Sequence, residues 1–189
     1  MRVIGGECKG RRLVPVKGLS TRPTSDKVRE AVFDILQGRF PCKKALDLFA
    51  GTGAMGIEAL SRGAQEATFV DSDNAALAVI RKNLDACGLP ARALVLKRDV
   101  KSALRLLAGK GESFDLIFID PPYASSLAGE ALTELDGLGL LAPGGTVVLE
   151  SSKRALMPPD MGLKKMELVD ERRYGDTLVR FYEEKDGPA

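Results

Sequence analysis

Residues 47–56 have the sequence Asp-Leu-Phe-Ala-Gly-Thr-Gly-Ala-Met-Gly, which predicts a strand that turns through a glycine loop (residues 49–53) into a helix. Gly51, Gly53 and Gly56 have the Gly-x-Gly-x-x-Gly spacing of a dinucleotide-binding loop. The small residues Ala50, Gly51 and Gly53 would let the backbone approach a bound nucleoside closely. Strand-to-helix turns that bind no ligand use the same glycines, so the spacing alone does not identify a cofactor.

The segments around this loop alternate between strand and helix. Apolar runs predict strands at about 44–49, 66–71, 92–97, 114–119 and 145–150, with helices near 54–62, 74–87, 100–108 and 126–138. This succession implies a mostly parallel sheet with helices on both faces. Residues 164–173 and 177–183 predict an antiparallel hairpin added at the sheet edge.

The first part of the chain is expected to form a small extension. Residues 2–16 predict a short β-hairpin, and a helix follows from about residue 25 to residue 37. The apolar face of that helix is predicted to consist of Val28, Val32, Ile35 and Leu36. We therefore divide the chain into a basic N-terminal hairpin extension, residues 1–24, and an α/β domain, residues 25–189.

Charge is distributed unevenly along the chain. The net charge is +2, but residues 1–44 carry eleven basic and four acidic side chains, a net charge of +7. The remaining 17 basic and 22 acidic side chains give a net charge of −5. A basic segment beside an acidic body is typical of a polyanion-binding extension, although a solvated basic surface is an alternative interpretation.

The composition disfavours several kinds of chemistry. The chain has no histidine, which is the usual proton acceptor and metal ligand, so we expect chemistry based on carboxylates, backbone groups and a cofactor, without a metal. Cys8, Cys42 and Cys87 are scattered, which argues against a disulfide framework or a zinc site. No apolar stretch approaches the roughly 20 residues that span a bilayer, and we expect a cytoplasmic protein that contacts no membrane.

A carboxylate before the glycine loop favours one class of cofactor. Asp47 precedes Gly51 by four residues, and its charge would repel a pyrophosphate close to the loop. The same carboxylate would attract an α-amino group through a charge-assisted hydrogen bond. S-adenosylmethionine (SAM) carries an ammonium and a sulfonium group but no phosphate, so this position favours SAM over NAD.

Two further carboxylates follow the next predicted strands. Asp71 could accept hydrogen bonds from both ribose hydroxyls of either cofactor. Asp99 could accept the adenine amino group, with Val100 against the ring, or could cap the helix that begins at Val100. The candidate cofactor residues are Asp47, Phe49, Ala50, Gly51, Thr52, Gly53, Asp71, Ser72, Asp99, Val100 and Asp120.

The sequence Asp120-Pro121-Pro122-Tyr123 follows a predicted buried strand and forms the candidate catalytic motif. Two prolines resist helix formation, so the four residues predict a rigid corner. The Asp120 carboxylate and the Pro121 carbonyl could accept both N–H groups of a nucleobase amine. Tyr123 would stack on the extruded base and Pro122 would shape the wall, although a purely structural turn is the alternative.

With these motifs placed, the chain resembles the class I SAM-dependent methyltransferases, and more closely the RsmD-type bacterial 16S ribosomal RNA guanine-N2 methyltransferases. The matching stretches are residues 2–6, 9–11, 22–24, 29–33, 47–64, 120–123 and 174–177. The resemblance implies an α/β, Rossmann-like, seven-stranded mostly parallel sheet with a C-terminal antiparallel hairpin and a small N-terminal extension. It makes residues 25–189 the SAM-dependent methyltransferase domain.

The resemblance also implies an activity and a partner. The expected reaction is methyl transfer from SAM to the N2 amine of a guanine in 16S rRNA, within the 30S subunit or an assembly intermediate. A monomeric enzyme is expected. Six cations would contact RNA phosphates or sugars, namely Arg2, Lys9, Arg11, Arg12, Lys17 and Arg22.

Other functions remain compatible with the same residues. Because Asp120-Pro121-Pro122-Tyr123 can serve any exocyclic amine, an adenine-N6 methyltransferase acting on DNA or RNA is the first alternative. A non-catalytic RNA-binding assembly factor is the second. An NAD-dependent oxidoreductase is disfavoured by Asp47.

Overall fold

The computed structural model describes residues 1–16, 26–122, 126–152 and 162–185. The helices of these residues are α1 (Asp26–Ile35), α2 (Ala54–Ser61), α3 (Asn74–Cys87), α4 (Val100–Gly109) and α5 (Leu127–Leu138). The strands are β1 (Lys44–Leu48), β2 (Glu66–Asp71), β3 (Ala93–Lys97), β4 (Phe114–Ile119), β5 (Leu141–Ser152), β6 (Met166–Tyr174) and β7 (Thr177–Glu184). Short 3₁₀ helices follow α1 (Leu36–Arg39) and precede β3 (Pro90–Arg92).

The seven strands form one sheet in the order β3-β2-β1-β4-β5-β7-β6. The first five strands are parallel, and β7 pairs antiparallel with both β5 and β6. The predicted mostly parallel sheet with a C-terminal antiparallel hairpin is therefore confirmed. The strand order reverses between β1 and β4, and sheets of this kind bind ligands beyond the carboxyl ends of the strands at such a point.

Apolar side chains cover both faces of the sheet. In β1, Ala45 belongs to a core cluster with residues of α1, α2 and α3. Leu46 and Leu48 belong to a second cluster with residues of α4 and α5. Successive side chains of a strand point to opposite faces, so this division places helices on both sides, as the sequence predicts.

The buried face of α1 differs from the prediction at one residue. Val28, Val32 and Leu36 are buried as expected, but the side chain of Ile35 is 42% exposed. Phe33 is fully buried in its place. The buried apolar face therefore consists of residues 28, 32, 33 and 36. The Phe33 ring fills the core beside Val32, the place that the prediction gave to Ile35.

The predicted N-terminal hairpin forms with a single antiparallel bridge, between Arg2 and Arg12, in place of two regular strands. Val3 makes backbone hydrogen bonds across the hairpin with Gly10 and Arg11, and the two residues after Val3 bond elsewhere. The N–H groups of Ile4 and Gly5 donate to the carboxylate of Glu58 on α2, at 2.8 and 2.7 Å. The first half of the hairpin thus bonds both to its second half and to the buried Glu58 side chain.

The N-terminal segment (residues 1–16) packs on the same core cluster as α2 and α3. Val3, Cys8 and Leu13 are buried in that cluster. The predicted boundary between residues 24 and 25 and the candidate RNA residues Lys17 and Arg22 lie outside the described residues.

A buried ion cluster holds α1 and α2 together. The side chains of Arg29 and Glu58 are both fully buried, with Nε of Arg29 3.6 Å from Oε2 of Glu58. Arg29 also donates to the Arg2 carbonyl and pairs with Asp26 at 3.0 Å. One turn after Glu58, Nε of Arg62 donates to Oε1 at 2.8 Å. The carboxylate thus has backbone and charged partners, which a buried charge requires.

Replacing Glu58 should test how strongly this cluster stabilises the fold. Glu58→Gln leaves the guanidinium of Arg29 buried without the carboxylate charge that lies 3.6 Å from its Nε. Breaking a buried pair costs about 3–5 kcal/mol, and because Arg29 keeps Asp26 we expect the lower end of that range. Urea denaturation measures the loss. Glu134→Gln, which removes a partner of the exposed Arg105, is the control, and an equally small loss in both variants would contradict this account.

Candidate functional site

A cavity of about 710 Å³ lies beyond the carboxyl ends of β1, β2, β3 and β4. Its walls come from the residues that follow these strands and from the start of α5. A further part of the lining comes from the N-terminal segment and consists of Met1, Leu13, Pro15 and Val16. Because β1 and β4 are neighbours, their loops meet at the point where the strand order reverses.

Most of the predicted site residues line this one cavity. All of the candidate cofactor residues except Gly53 do so, and Asp120, Pro121 and Pro122 join them. The fourth catalytic candidate, Tyr123, lies outside the described residues. The sequence motifs at 47–53 and 120–122 are therefore brought together as expected.

The glycines of the loop have different roles. A β-carbon at Gly51 would meet nothing closer than 3.8 Å, so this residue leaves open space at the cavity wall. A β-carbon at Gly53 would lie 3.3 Å from the Phe69 ring, and one at Gly56 only 2.4 Å from it. Both later glycines are therefore needed for packing beneath α2, and Gly53 is absent from the described lining of the cavity.

Asp47 is buried and holds the start of α2. The Gly56 N–H donates to its Oδ2 at 2.9 Å, so the carboxylate caps a helix whose own cap residue, Gly53, has no side chain. Burial raises the pKa of Asp47 well above its usual value of 3.8, although the Gly56 bond lowers it. The charges of Asp120 and Asp71 raise it further.

Asp71 and Asp99 are oriented by backbone groups. The Gly51 N–H donates to Oδ2 of Asp71 at 2.8 Å, which ties the glycine loop to the end of β2. The Ser102 N–H donates to Oδ1 of Asp99 at 2.9 Å and lowers the pKa of that carboxyl. The capping role considered for Asp99 is thus present, and the residue also lines the cavity.

Asp120 and Phe49 occupy matching places after adjacent strands. Ile119 and Leu48 are paired across the sheet, so the residues that follow them leave it side by side. Phe49 has a φ of 61°, a left-handed conformation that costs a non-glycine residue about 1–2 kcal/mol. Such strain is common at ligand sites, where the surrounding structure compensates it.

The cavity wall is strongly acidic. Its described lining includes six carboxylates, from Asp47, Asp71, Asp73, Asp99, Asp120 and Glu130. The cations in the same described lining are Arg98 and Lys101, and Lys101 is paired with Glu130 at 2.7 Å. A cationic ligand is therefore favoured here, and a ligand with several phosphates is disfavoured.

The N-terminal wall is the part of the site that the sequence did not predict. Leu13, Pro15 and Val16 appear in the sequence as a strand of a hairpin, with no feature that indicates a ligand. The candidate RNA residues Arg2, Lys9, Arg11 and Arg12 are exposed and lie outside the cavity lining. The apolar and cationic residues of this segment thus have different surroundings.

The described residues contain no group of three or more side chains suited to hold a metal ion. No helix among them is long and apolar enough to cross a membrane.

The buried charge of Asp47 should lower the stability of the ligand-free protein. A carboxyl whose pKa is raised by folding destabilises the fold as pH rises above its usual value of 3.8. Asp47→Asn keeps an acceptor for the Gly56 N–H but removes the charge. We expect its Tm at pH 7 to exceed that of the wild type by about 2–4 °C or more, and the difference to shrink toward pH 4.

Thermal denaturation between pH 4 and pH 8 measures this difference. Asp85→Asn, an exposed carboxylate on α3, is the control and should follow the wild type throughout. Identical Tm values for Asp47→Asn and the wild type across this range would show that the carboxylate carries no buried charge.

Comparison with known proteins gives a consistent result. The family described as Conserved hypothetical protein 95 matches residues 1–183. The Escherichia coli K12 protein named Ribosomal RNA small subunit methyltransferase D is 37% identical over 183 residues, 97% of this chain and 89% of that protein. The Bacillus subtilis 168 protein YlbH is 39% identical over 185 residues, 98% of this chain and 100% of its own length.

A solved structure of the Escherichia coli protein yhhF is 35% identical to this chain, covers 99% of both chains and has a TM-score of 0.81. The fold that the sequence predicted, that of the class I methyltransferases, is confirmed by these structural neighbours. The chain belongs to the RsmD-like family described as Conserved hypothetical protein 95.

Proposed function

We propose that the chain is a SAM-dependent methyltransferase of 16S rRNA whose target is the exocyclic N2 amine of a guanine, at the position numbered 966. The observation that carries this proposal is the meeting of Asp120 and Pro121 with the glycine loop in one acidic cavity. The Escherichia coli relative is named for methylation of small-subunit rRNA, and its similarity extends over nearly the whole chain.

The charges of the cavity support SAM as the cofactor. The remaining oxygen of Asp47 would accept the α-ammonium group, and the carboxylate of Asp71 would accept the ribose hydroxyls. Asp99 and Val100 would hold the adenine ring, and Gly51 would let the backbone approach the nucleoside. When bound, the cofactor supplies an electrophilic methyl group. A bound cation would lower the mutual repulsion of the carboxylates that surround it.

The target amine needs orientation more than activation by a strong base. The lone pair of a guanine N2 is delocalised into the ring, so the nitrogen is a weak nucleophile. Asp120 and the Pro121 carbonyl would accept its two N–H groups and turn the lone pair toward the methyl group. As the nitrogen–carbon bond forms, the bond between the sulfonium and the methyl group would break, leaving a neutral thioether. The carboxylate of Asp120 would accept the proton that leaves the nitrogen. Tyr123 is proposed to stack on the extruded base.

The N-terminal segment would hold the RNA. Arg2, Lys9, Arg11 and Arg12 are exposed, and no ion pair joins them to another described residue. Contacts with phosphates would supply affinity without reading sequence, so the fold of the RNA would select the target. We place the reaction in the cytoplasm, on rRNA in the 30S subunit or an assembly intermediate, with the protein acting as a monomer.

The cofactor assignment predicts selective binding. SAM and its product S-adenosylhomocysteine (SAH) should raise the Tm of the wild type, while NAD at the same concentration should not. Asp47→Asn should bind SAH at least tenfold more weakly by calorimetry, because it loses a charge-assisted bond. Asp85→Asn is again the control. Equal stabilisation by NAD and SAM would rule out this assignment.

The catalytic assignment predicts the product and the effect of one mutation. Tritiated methyl transfer to unmodified 16S rRNA, followed by nucleoside digestion, should yield N2-methylguanosine. Asp120→Ala should lower the single-turnover rate by about 10²-fold or more, with SAH affinity changed far less. Glu134→Ala, outside the cavity, should keep the wild-type rate.

Three results would count against this catalytic assignment. Labelled N6-methyladenosine, from RNA or from an adenine-bearing DNA duplex, would favour the adenine alternative. SAM and RNA binding without transfer to either RNA or 30S particles would favour a non-catalytic assembly factor. A near-normal rate for Asp120→Ala would show that this carboxylate does not orient the base.

The RNA assignment predicts a salt effect. Replacing Lys9, Arg11 and Arg12 by Ala removes three phosphate contacts, so the slope of log affinity against log salt should decrease by about 2 on the single-strand scale. Apparent KM should rise more than kcat falls. The control replaces three exposed cations near the opposite sheet edge, Lys164, Arg172 and Arg173. An unchanged slope in the first variant would place the RNA contacts elsewhere.

A further inference from the structure

Asn83 is a fully buried amide in α3 that is bonded to two separate pieces of backbone. Its Oδ1 accepts from the Val14 N–H at 2.7 Å. Its Nδ2 donates to the Val14 carbonyl at 3.1 Å and to the Thr52 carbonyl at 2.9 Å. The oxygen and the amino group are therefore both used, and the orientation of the amide is fixed because the Val14 N–H requires an acceptor.

The two bonded segments form two walls of the cavity. Val14 is flanked by Leu13 and Pro15, which line the cavity from the N-terminal segment. Thr52 lies in the glycine loop beside Gly51 and also lines the cavity. A ligand that moves either wall thus acts on a backbone group held by the same side chain.

The part of the N-terminal segment that Asn83 holds is also continuous with the exposed cations. Arg12 forms the single antiparallel bridge with Arg2, and Val14 follows two residues later. Phosphate contacts at these cations would fix the position of the strand that Asn83 holds. Through Asn83, that position is linked to the Thr52 carbonyl and to the loop proposed to receive the cofactor.

We propose that Asn83 is a positioning residue that makes binding in the cavity and RNA binding on the N-terminal segment mutually dependent. The inference rests on the proposed function, since it takes SAM or SAH and RNA as the two ligands. RNA would fix the position of the N-terminal segment, and SAM or SAH would fix the glycine loop. Because the Asn83 amide is bonded to both segments, fixing one of them would restrict the motion of the other. Coupling of this kind is reciprocal, so RNA should tighten SAH binding by the same factor as SAH tightens RNA binding.

The experiment measures SAH affinity by calorimetry with and without a saturating unmodified 16S rRNA transcript. In the wild type we expect RNA to tighten SAH binding by at least about 5-fold. In Asn83→Ala this ratio should fall toward 1 while SAH still binds. Asn83→Asp keeps the acceptor for the Val14 N–H but loses both donated bonds, so its ratio should also fall. This near-isosteric variant carries the test if Asn83→Ala does not fold.

Two controls separate coupling from loss of stability. Ile80→Val removes a methyl group from the same helix at a fully buried position without touching these hydrogen bonds. It should lower Tm and keep the wild-type ratio. Asn74→Ala removes an exposed asparagine of α3 and should change neither quantity.

Several outcomes would overturn the inference. A wild-type ratio retained in both Asn83 variants would show that the ligands couple without this amide. A ratio lost equally in Ile80→Val would show a general structural effect. A wild-type ratio of 1, with both ligands bound, overturns the inference and leaves the proposed function intact. A wild type that binds no SAH overturns the proposed function, and the inference with it.

Discussion

The shape of the site depends on the hydrogen bonds that the buried carboxylate of Glu58 accepts. A buried charge requires hydrogen bonds, and here the backbone N–H groups of Ile4 and Gly5 provide two of them. The N-terminal segment is thereby held against α2, directly after the glycine loop. Without that placement the cavity would lack the wall that includes Leu13 and Val16. The same carboxylate organises the core through Arg29 and completes the candidate site.

The sequence predicted those parts of the structure that depend on local pattern. Strand and helix alternation follows from short-range periodicity, and strand-end residues such as Asp47 and Asp120 meet because parallel strands end at one edge. The N-terminal wall was missed because the bonds that place it link residues far apart in sequence. Ile4 is 54 residues from Glu58, and Val14 is 69 residues from Asn83. Glu58 and Asn83 are polar residues on the buried faces of their helices. A polar residue at such a position is the sequence signal that these bonds leave.

The concentration of carboxylates at the strand ends has opposite effects on stability and binding. Burial raises the pKa of Asp47, and the nearby charge of Asp120 raises it further, because the carboxylates of the cavity wall repel one another. A cationic ligand would relieve this repulsion, which makes its binding stronger than contacts alone would give. The left-handed Phe49 adds backbone strain at the same place. An arrangement that destabilises the free protein is expected where selection acts on binding.

The separation of charge between the cavity and the N-terminal segment also determines which part of a nucleotide can enter. Under the proposed function, phosphates are attracted to exposed cations such as Lys9 and Arg11 and repelled by the acidic cavity. A neutral base carries no such penalty, and its amine can be accepted by Asp120. The RNA backbone would therefore remain at the rim while the base turns inward. This charge distribution helps to offset the cost of unstacking the base, and the N-terminal segment belongs to both regions because its apolar residues line the cavity while its cations are exposed.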